Sequence, residues 1–351
     1  MLGMNGPRRY LVLAEDPAEL RPSGGFIGTY GLVTFDQGRI TERKFQNITV
    51  LDYRRVYSYV EPPSGLKDHL LGIDQSWQLA DAGWSPDFPT SAKQALQLYA
   101  HESGDSNIDG VIALDTYGID LLLGVTGPVK VPEYGVTVQP GETTITALEN
   151  TRQSATPGVD RKAFLDAFGG ELLDAMLATP TARWPGLMNA LGNAGSQRHI
   201  MAWTKDEGSE AFIGWAGWAG AVRADGGDYV QAVDANVAPT SKYNLVTHRT
   251  QDLQVGIDDV GNANDTLTLN WDNRADQPEA NWLRKLPITG TDGMLGNYLR
   301  VLTPDRSRLQ SVSGGRLAPL TGVEEISPEA GRTSYGLFLL LPPGQTSATI
   351  S

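Results

Sequence analysis

Up to about residue 238 the chain alternates strand-type and helix-type patterns, and from about 240 onward it reads only as short strands. RRYLVLA at 8–14 alternates as a strand, and the Asp36-Gln37-Gly38 step between VTF and RITERKF reads as a hairpin turn with Gly38 suited to positive φ. A helix is expected after the loop at 79–89, capped by Thr90 or Ser91, with Ala92, Ala95, Leu96 and Tyr99 at helical spacing and Gly104 at its end. DGVIALDTYGIDLLLGVTGPVKVP then gives strand, helix and strand, and 160–195 holds two amphipathic stretches, one with a stripe of Phe164, Leu165, Phe168, Leu172 and Met176. HIMAW at 199–203 and YVQAVDAN at 229–236 close this region as strands. Such an order predicts an α/β layer. The runs NLVTHRTQDLQVGI, TLTLNWDN, NYLRVLTP and SYGLFLLLPP, with no convincing helix among them, predict a C-terminal antiparallel β-sandwich. The expected division is therefore 1–238 and 239–351.

Composition removes several function classes. A net charge of −13 argues against a nucleic-acid partner, because neutralising phosphates needs a basic face. The absence of cysteine removes disulfides, thiol catalysis and Cys-ligated zinc. No apolar run is long enough to span a bilayer, and no signal peptide is visible. The start, MLGMNGPRRY, lies close to a strand and reads as trimmed of an anchor, so a membrane is expected only through such an N-terminal segment.

No GxSxG elbow, HExxH, Walker A loop or Rossmann fingerprint occurs, and His69, His101, His199 and His248 are scattered singly and read as ordinary histidines. Carboxylates and arginines remain. In AEDPAELRPSGGF, Glu19 and Arg21 share a face of an extended chain, and Ser23, Gly24 and Gly25 offer unobstructed N–H groups that suit an anionic oxygen. The plain alternative is a surface turn in which Glu19 and Arg21 pair with each other. VLDYRR sets Asp52 at a strand end with Arg54 two residues on and Arg55 facing away. ADAGWSPDFPTSA puts Asp81, Trp84 and Asp87 in a proline-bounded loop, either as a sugar platform with acid/base groups or as core and helix-dipole residues. VDANVAPTSKYN offers Asp234, Asn236 and Lys242 at a strand exit, where an interdomain turn is the competing explanation.

Taken in order, YLVLAEDPAELRPSGGFIGTYGLVTFDQGRI, WSPDFPTSAKQALQLY, DGVIALDTYGIDLLLGVTGPVKVP and VQAVDANVAPTSKYN resemble the bacterial family of domain of unknown function 4012 over nearly the whole chain. Glu15-Asp16 stands where that family often has a Gln-Asn pair. The central region is more distantly similar to LytR–CpsA–Psr proteins, which move glycopolymers from a polyprenyl-pyrophosphate carrier onto the cell wall. Their Arg-Ser-Asp metal-and-phosphate motif is replaced here by Glu19-Leu20-Arg21-Pro22-Ser23-Gly24-Gly25. The resemblance implies a layered mixed-sheet core, an extracytoplasmic and membrane-anchored setting, and a cell-envelope polysaccharide or lipid-linked glycan as partner. It also implies that the Glu19–Arg21 loop floors a cleft at the end of the sheet, with Gly24-Gly25 admitting a ligand.

Three functions follow from this reading. In a glycopolymer phosphotransferase, Arg21 with Arg54 or Arg55 clamps a diphosphate, Glu19 or Asp52 holds Mg²⁺, and a carboxylate activates the acceptor hydroxyl. In a metal-free glycoside hydrolase or transglycosylase, Glu19 and one of Asp52, Asp81 or Asp87 form the paired carboxylates, with Trp84 as platform. The third is a non-catalytic glycan-binding or assembly module. A carbohydrate-active cell-envelope enzyme is the expectation carried forward.

Overall fold

The computed structural model describes residues 1–52, 59–72, 74–152, 163–223, 228–238, 241–286, 292–314, 316–317 and 323–351. The chain divides into two compact units. The first takes Met1–Pro17, Arg21–Glu61 and Ser76–Val222; the second takes Ala18–Leu20, Pro62–Gln75 and Arg223–Ser351.

In the first unit β1 (Arg8–Asp16), β2 (Phe26–Asp36) and β3 (Arg39–Asn47) run antiparallel, and the β2–β3 turn holds Gly38 at positive φ, as expected, and Gln37 as well. β4 (Gly110–Asp115) lies parallel to β1 on its other side, and β7 (Ile200–Thr204) closes the edge antiparallel to β4. The order β3-β2-β1-β4-β7 is thus a mixed sheet with one parallel pair at its centre. That parallel pair needs a long crossover, and the chain supplies it through α1 (Thr49–Asp52) and α3 (Phe88–Ser103), among other segments. Asp52 therefore ends a helical turn and not a strand. α3 starts earlier than expected, because Asp87 and not Thr90 or Ser91 caps it, and Gly104 in the left-handed region ends it. Leu11, Leu13, Ile27, Phe88, Ala92, Ala95, Val111 and Ala113 make a core between sheet and helix.

β4 leads directly into α4 (Thr116–Thr126), then into a separate hairpin of β5 (Val129–Val131) and β6 (Val136–Val138). α5 (Thr143–Arg152), α6 (Phe164–Leu177), α7 (Trp184–Ser196) and α8 (Glu207–Trp215) complete this unit. Phe164, Phe168 and Leu172 of the predicted α6 stripe are buried against α4 and the β5–β6 hairpin.

The second unit contains α2 (Ser64–Leu66) and two antiparallel sheets. One has the order β12 (Val312–Gly314), β16 (Gly344–Ile350), β10 (Ala263–Asn273), β9 (Thr247–Ile257). The other has β13 (Arg316–Leu317), β15 (Arg332–Leu341), β11 (Leu295–Thr303), β8 (Gln231–Val237), with β14 (Glu324–Glu329) also on β15. Leu269 and Trp271 from one sheet share a core with Leu299, Leu337 and Leu339 from the other, which makes the expected sandwich. YVQAVDAN does not close the α/β region: β8 pairs with β11 and belongs to the sandwich unit. One short helix, α9 (Asn281–Arg284), interrupts the expected run of strands.

Candidate active site

β1 and β4 are parallel and in register, so their carboxyl ends meet side by side, with Glu15 opposite Asp115. Such strand ends are where α/β sheets collect ligands. Asp115 is also the N-cap of α4: one oxygen accepts from the Gly118 N–H at 2.8 Å. Its other oxygen lies 2.8 Å from His199 Nδ1, and its own backbone N–H donates to the His199 carbonyl at 3.1 Å. A Cβ at Gly118 would crowd that same carbonyl, so glycine there lets the helix start approach the chain entering β7. Three contacts thus fix one imidazole on one carboxylate.

The electrostatics follow from the geometry. The hydrogen bond to Asp115 raises the His199 pKa above its ordinary value, burial pulls it down, and the Asp115 charge adds to the rise. The His199 side chain remains 25% exposed, and among the described residues its side-chain hydrogen bond runs through Nδ1. Glu15 is fully buried. Burial pushes its carboxyl well above the usual range; the Ser23 hydroxyl, at 3.1 Å, and the Arg198 charge oppose the rise, while Asp115 adds to it. Arg198 itself is held at positive φ, with its guanidinium donating to the carbonyls of Pro86 and Gly220. Tyr117, in the first turn of α4, is 45% exposed and lies 5.5 Å from the His199 ring, centroid to centroid, at 46°. Burial of its hydroxyl end, then Asp115, Asp120 and Asp16, raise its pKa, so the phenol keeps its proton at neutral pH.

The residues expected to do chemistry occupy other roles. Arg21 donates through Nε to Asp81 at 2.7 Å, and both side chains are buried. The N–H groups of Ser23 and Gly24 donate to the carbonyls of Gly83 and Arg21, so neither is left over to nest an anion. Cβ atoms on Gly24 and Gly25 would overlap Glu15 Oε2 and the Asp16 carbonyl. The two glycines let this loop approach the chain's own β1 closely. Glu19 belongs to the second unit, where it accepts from the buried Lys242 Nζ at 2.6 Å. Beside it, the Asn236 N–H donates to the Leu20 carbonyl and its amide to Asn244. The VDANVAPTSKYN segment thus grips Ala18–Leu20 within its own unit. Asp87 spends one oxygen on Thr90 of α3 and the other on the Val222 N–H, so it is a cap. Trp84 is only 4% exposed, which gives its ring to the core and leaves no open face for a sugar. Asp52 is placed only by its backbone, and Arg54 and Arg55 lie outside the described residues.

Among the described residues no group of three or more His, Asp or Glu is arranged to hold a metal ion, and Glu19, Asp81 and Asp87 are each committed to the partners above.

Residues 5–152, which include β1, the Glu19 loop, α3, β4 and α4, match the model of the family described as Protein of unknown function (DUF4012). The resemblance read from the sequence is to this family. No curated protein matches the sequence. Among solved structures, Streptococcus agalactiae protein gbs0355 is similar at 17% identity and a TM-score of 0.35, over 61% of this chain and 73% of that one. Listeria innocua Lin1025 protein shows 10% identity and a TM-score of 0.32, over 74% and 90%. Bacillus subtilis TagV shows 12% identity and a TM-score of 0.31, over 64% and 87%. Within the DUF4012 segment lie Glu15, Asp115 and Tyr117; Arg198 and His199 lie outside it.

Sequence reasoning passed over Glu15, Asp115, Arg198 and His199. One signal was present: β1 and β4 both end on acidic residues, and a residue in that place before a helix start serves as cap and as ligand-facing group at once.

Proposed function

We propose that this chain processes a cell-envelope glycan by general-base activation of a sugar hydroxyl, with His199 as the base and Asp115 as the group that holds it. One observation carries this reading: a His–Asp pair at the carboxyl end of the central parallel strands, with Nδ1 bound to the carboxylate and the imidazole partly exposed. The resemblance to glycopolymer-transferring proteins supports the choice of glycan, and an extracytoplasmic, membrane-anchored setting comes with it.

The proton path is short. Nε2 takes the hydroxyl proton as the sugar oxygen attacks the donor, at its anomeric carbon or its phosphorus, and the leaving oxygen departs with the donor's bond electrons. The imidazolium that forms lies against the Asp115 carboxylate, which stabilises it, and the proton passes on to the leaving oxygen. Glu15 acts at a distance from the reacting atoms. Burial pushes its carboxyl well above the usual range and so favours the neutral form, which would spare the site a second negative charge beside Asp115 and leave that carboxylate to hold the imidazolium. The Arg21–Asp81 pair fixes the turn that brings Ser23 onto Glu15, and this is the work we assign to the charged loop after β1.

The paired-carboxylate alternative draws less support, since Glu19 is bound to Lys242 and Asp87 caps a helix. The test uses the whole chain with undecaprenyl-pyrophosphate-linked oligosaccharide as donor and isolated peptidoglycan as acceptor. We expect wild type to release the lipid and H199Q and D115N to lose that activity. Equal rates in all three overturn the base assignment. No turnover with any of them, alongside retained glycan binding, favours the non-catalytic module.

A further inference from the structure

The loss of Trp84 to the core leaves the open question of what a sugar would lie on. Tyr117 is the aromatic ring that α4 places beside His199, and it reaches that position because Asp115 caps the helix and thereby fixes its first turn. The residue is 45% exposed, while the 5.5 Å separation and 46° tilt make the two rings a tilted pair and not a closed stack. A pyranose presents a patch of C–H groups on one face and hydroxyls around its rim. Such a ring matches an open aromatic face bordered by a polar edge. Asp16, Asp115 and Asp120 surround Tyr117 with negative charge, as their effect on its phenol indicates, which disfavours an anionic group lying on that ring and suits an uncharged sugar.

From this we infer that Tyr117 is the platform of the acceptor subsite: a neutral pyranose stacks on its ring and so brings one rim hydroxyl to His199 Nε2. The inference deepens the proposed glycan chemistry and rests on it for the role of His199, but the stacking itself is separable. It makes the acceptor a saccharide hydroxyl and not water, and so makes the reaction a transfer.

The experiment measures binding before activity. Chitotriose and cellotriose, as neutral β-1,4-linked probes, are titrated into wild type, Y117A, Y117F, Y117W and H199Q, followed by saturation-transfer NMR on the sugar ring protons. Expected are transfer to the protons of one pyranose face in wild type, affinity kept within about twofold in Y117F, Y117W and H199Q, and a loss of about tenfold in Y117A. Because Tyr117 is exposed, unchanged melting of Y117A separates this loss from misfolding. Equal affinity in Y117A and wild type, or no transfer from either trisaccharide, overturns the platform. Binding that depends on Tyr117 together with full turnover in H199Q leaves the platform standing and sinks the base. Abolished turnover in H199Q together with Tyr117-independent binding does the reverse.

Discussion

Each unit buries charge, and the two do it in different ways. In the sandwich unit Arg300 sits almost wholly inside, and one of its nitrogens reaches both oxygens of Glu329, at 3.0 and 2.9 Å. Lys242 is similarly enclosed against Glu19. Each of these cations meets an opposite charge, and the pairing fixes a chain segment. In the α/β unit Arg21 and Asp81 follow the same pattern, but the strand ends next to them do not. There, two acidic residues lie in register, among the described residues no cation is bonded directly to Glu15, burial pushes its carboxyl well above the usual range, and the other acid binds a partly exposed histidine. Charge that meets its opposite builds structure, whereas the charge held off balance at the strand ends is what the proposed chemistry would use.

The sharpest way to break this contrast is to remove one group from each side. H199A should cut turnover by about 10²–10⁴-fold, the usual worth of a positioned base, while its melting temperature stays near wild type because the ring is partly exposed. R300L should do the opposite. Leaving Glu329 without its guanidinium should cost about 3 kcal/mol of stability, read by urea unfolding, with turnover per folded molecule unchanged. If R300L impairs turnover and H199A impairs folding, the assignment of roles is inverted.

The two variants also mark what could be read in advance. Local chemistry was legible: the Asp-Gln-Gly hairpin, the α3 span, the α6 stripe and the sandwich all follow from patterns within a dozen residues or so. Asp87 was visible as a helix partner, yet the start of the helix was misplaced because Thr90 and Ser91 are equally good caps and only the fold chooses. The candidate site was hidden for a different reason. Asp115 and His199 are 84 residues apart and meet only because β7 lies antiparallel on β4, while Glu15 meets Asp115 only through the β1–β4 register. No spacing rule in a single sequence carries a pairing of that kind. Glu19 and Arg21 drew the eye as adjacent opposite charges, but Lys242 and Asp81, from far along the chain, claim them. β8 was misassigned for the same reason, since its partner β11 comes sixty residues later.

A smaller effect tests whether the double glycine serves the chain or a ligand. G24A would drive a methyl into the Glu15 carboxyl, so stability should fall by about 1–3 kcal/mol even in the absence of any substrate. A fully stable G24A with weakened sugar binding would restore the ligand-approach reading.

The smallest effect is also the most specific to the contrast. Glu15 has a folded-state pKa raised well above its unfolded value, so the native state binds the proton more tightly than the unfolded chain. Between those two values the folded state carries more protons, and stability must fall as pH rises. Below the unfolded value, both states are protonated and the group has no pH-dependent effect. E15Q keeps a neutral side chain of the same shape that still meets Ser23, and it removes the titration. Its melting temperature should match wild type near pH 4 and exceed it progressively toward pH 8, and the difference curve isolates this one carboxyl from every other group in the chain. His199 works in the same direction over a higher pH window: its raised pKa adds stability that is complete below its unfolded value and fades as pH climbs through the folded one. Because both effects decline with rising pH, a wild-type curve alone mixes them, and only the pair E15Q and H199Q separates them. A flat difference between E15Q and wild type would mean that Glu15 ionises in the folded state, placing two full negative charges side by side at the strand ends. The distinction between balanced and unbalanced charge drawn above would then fail.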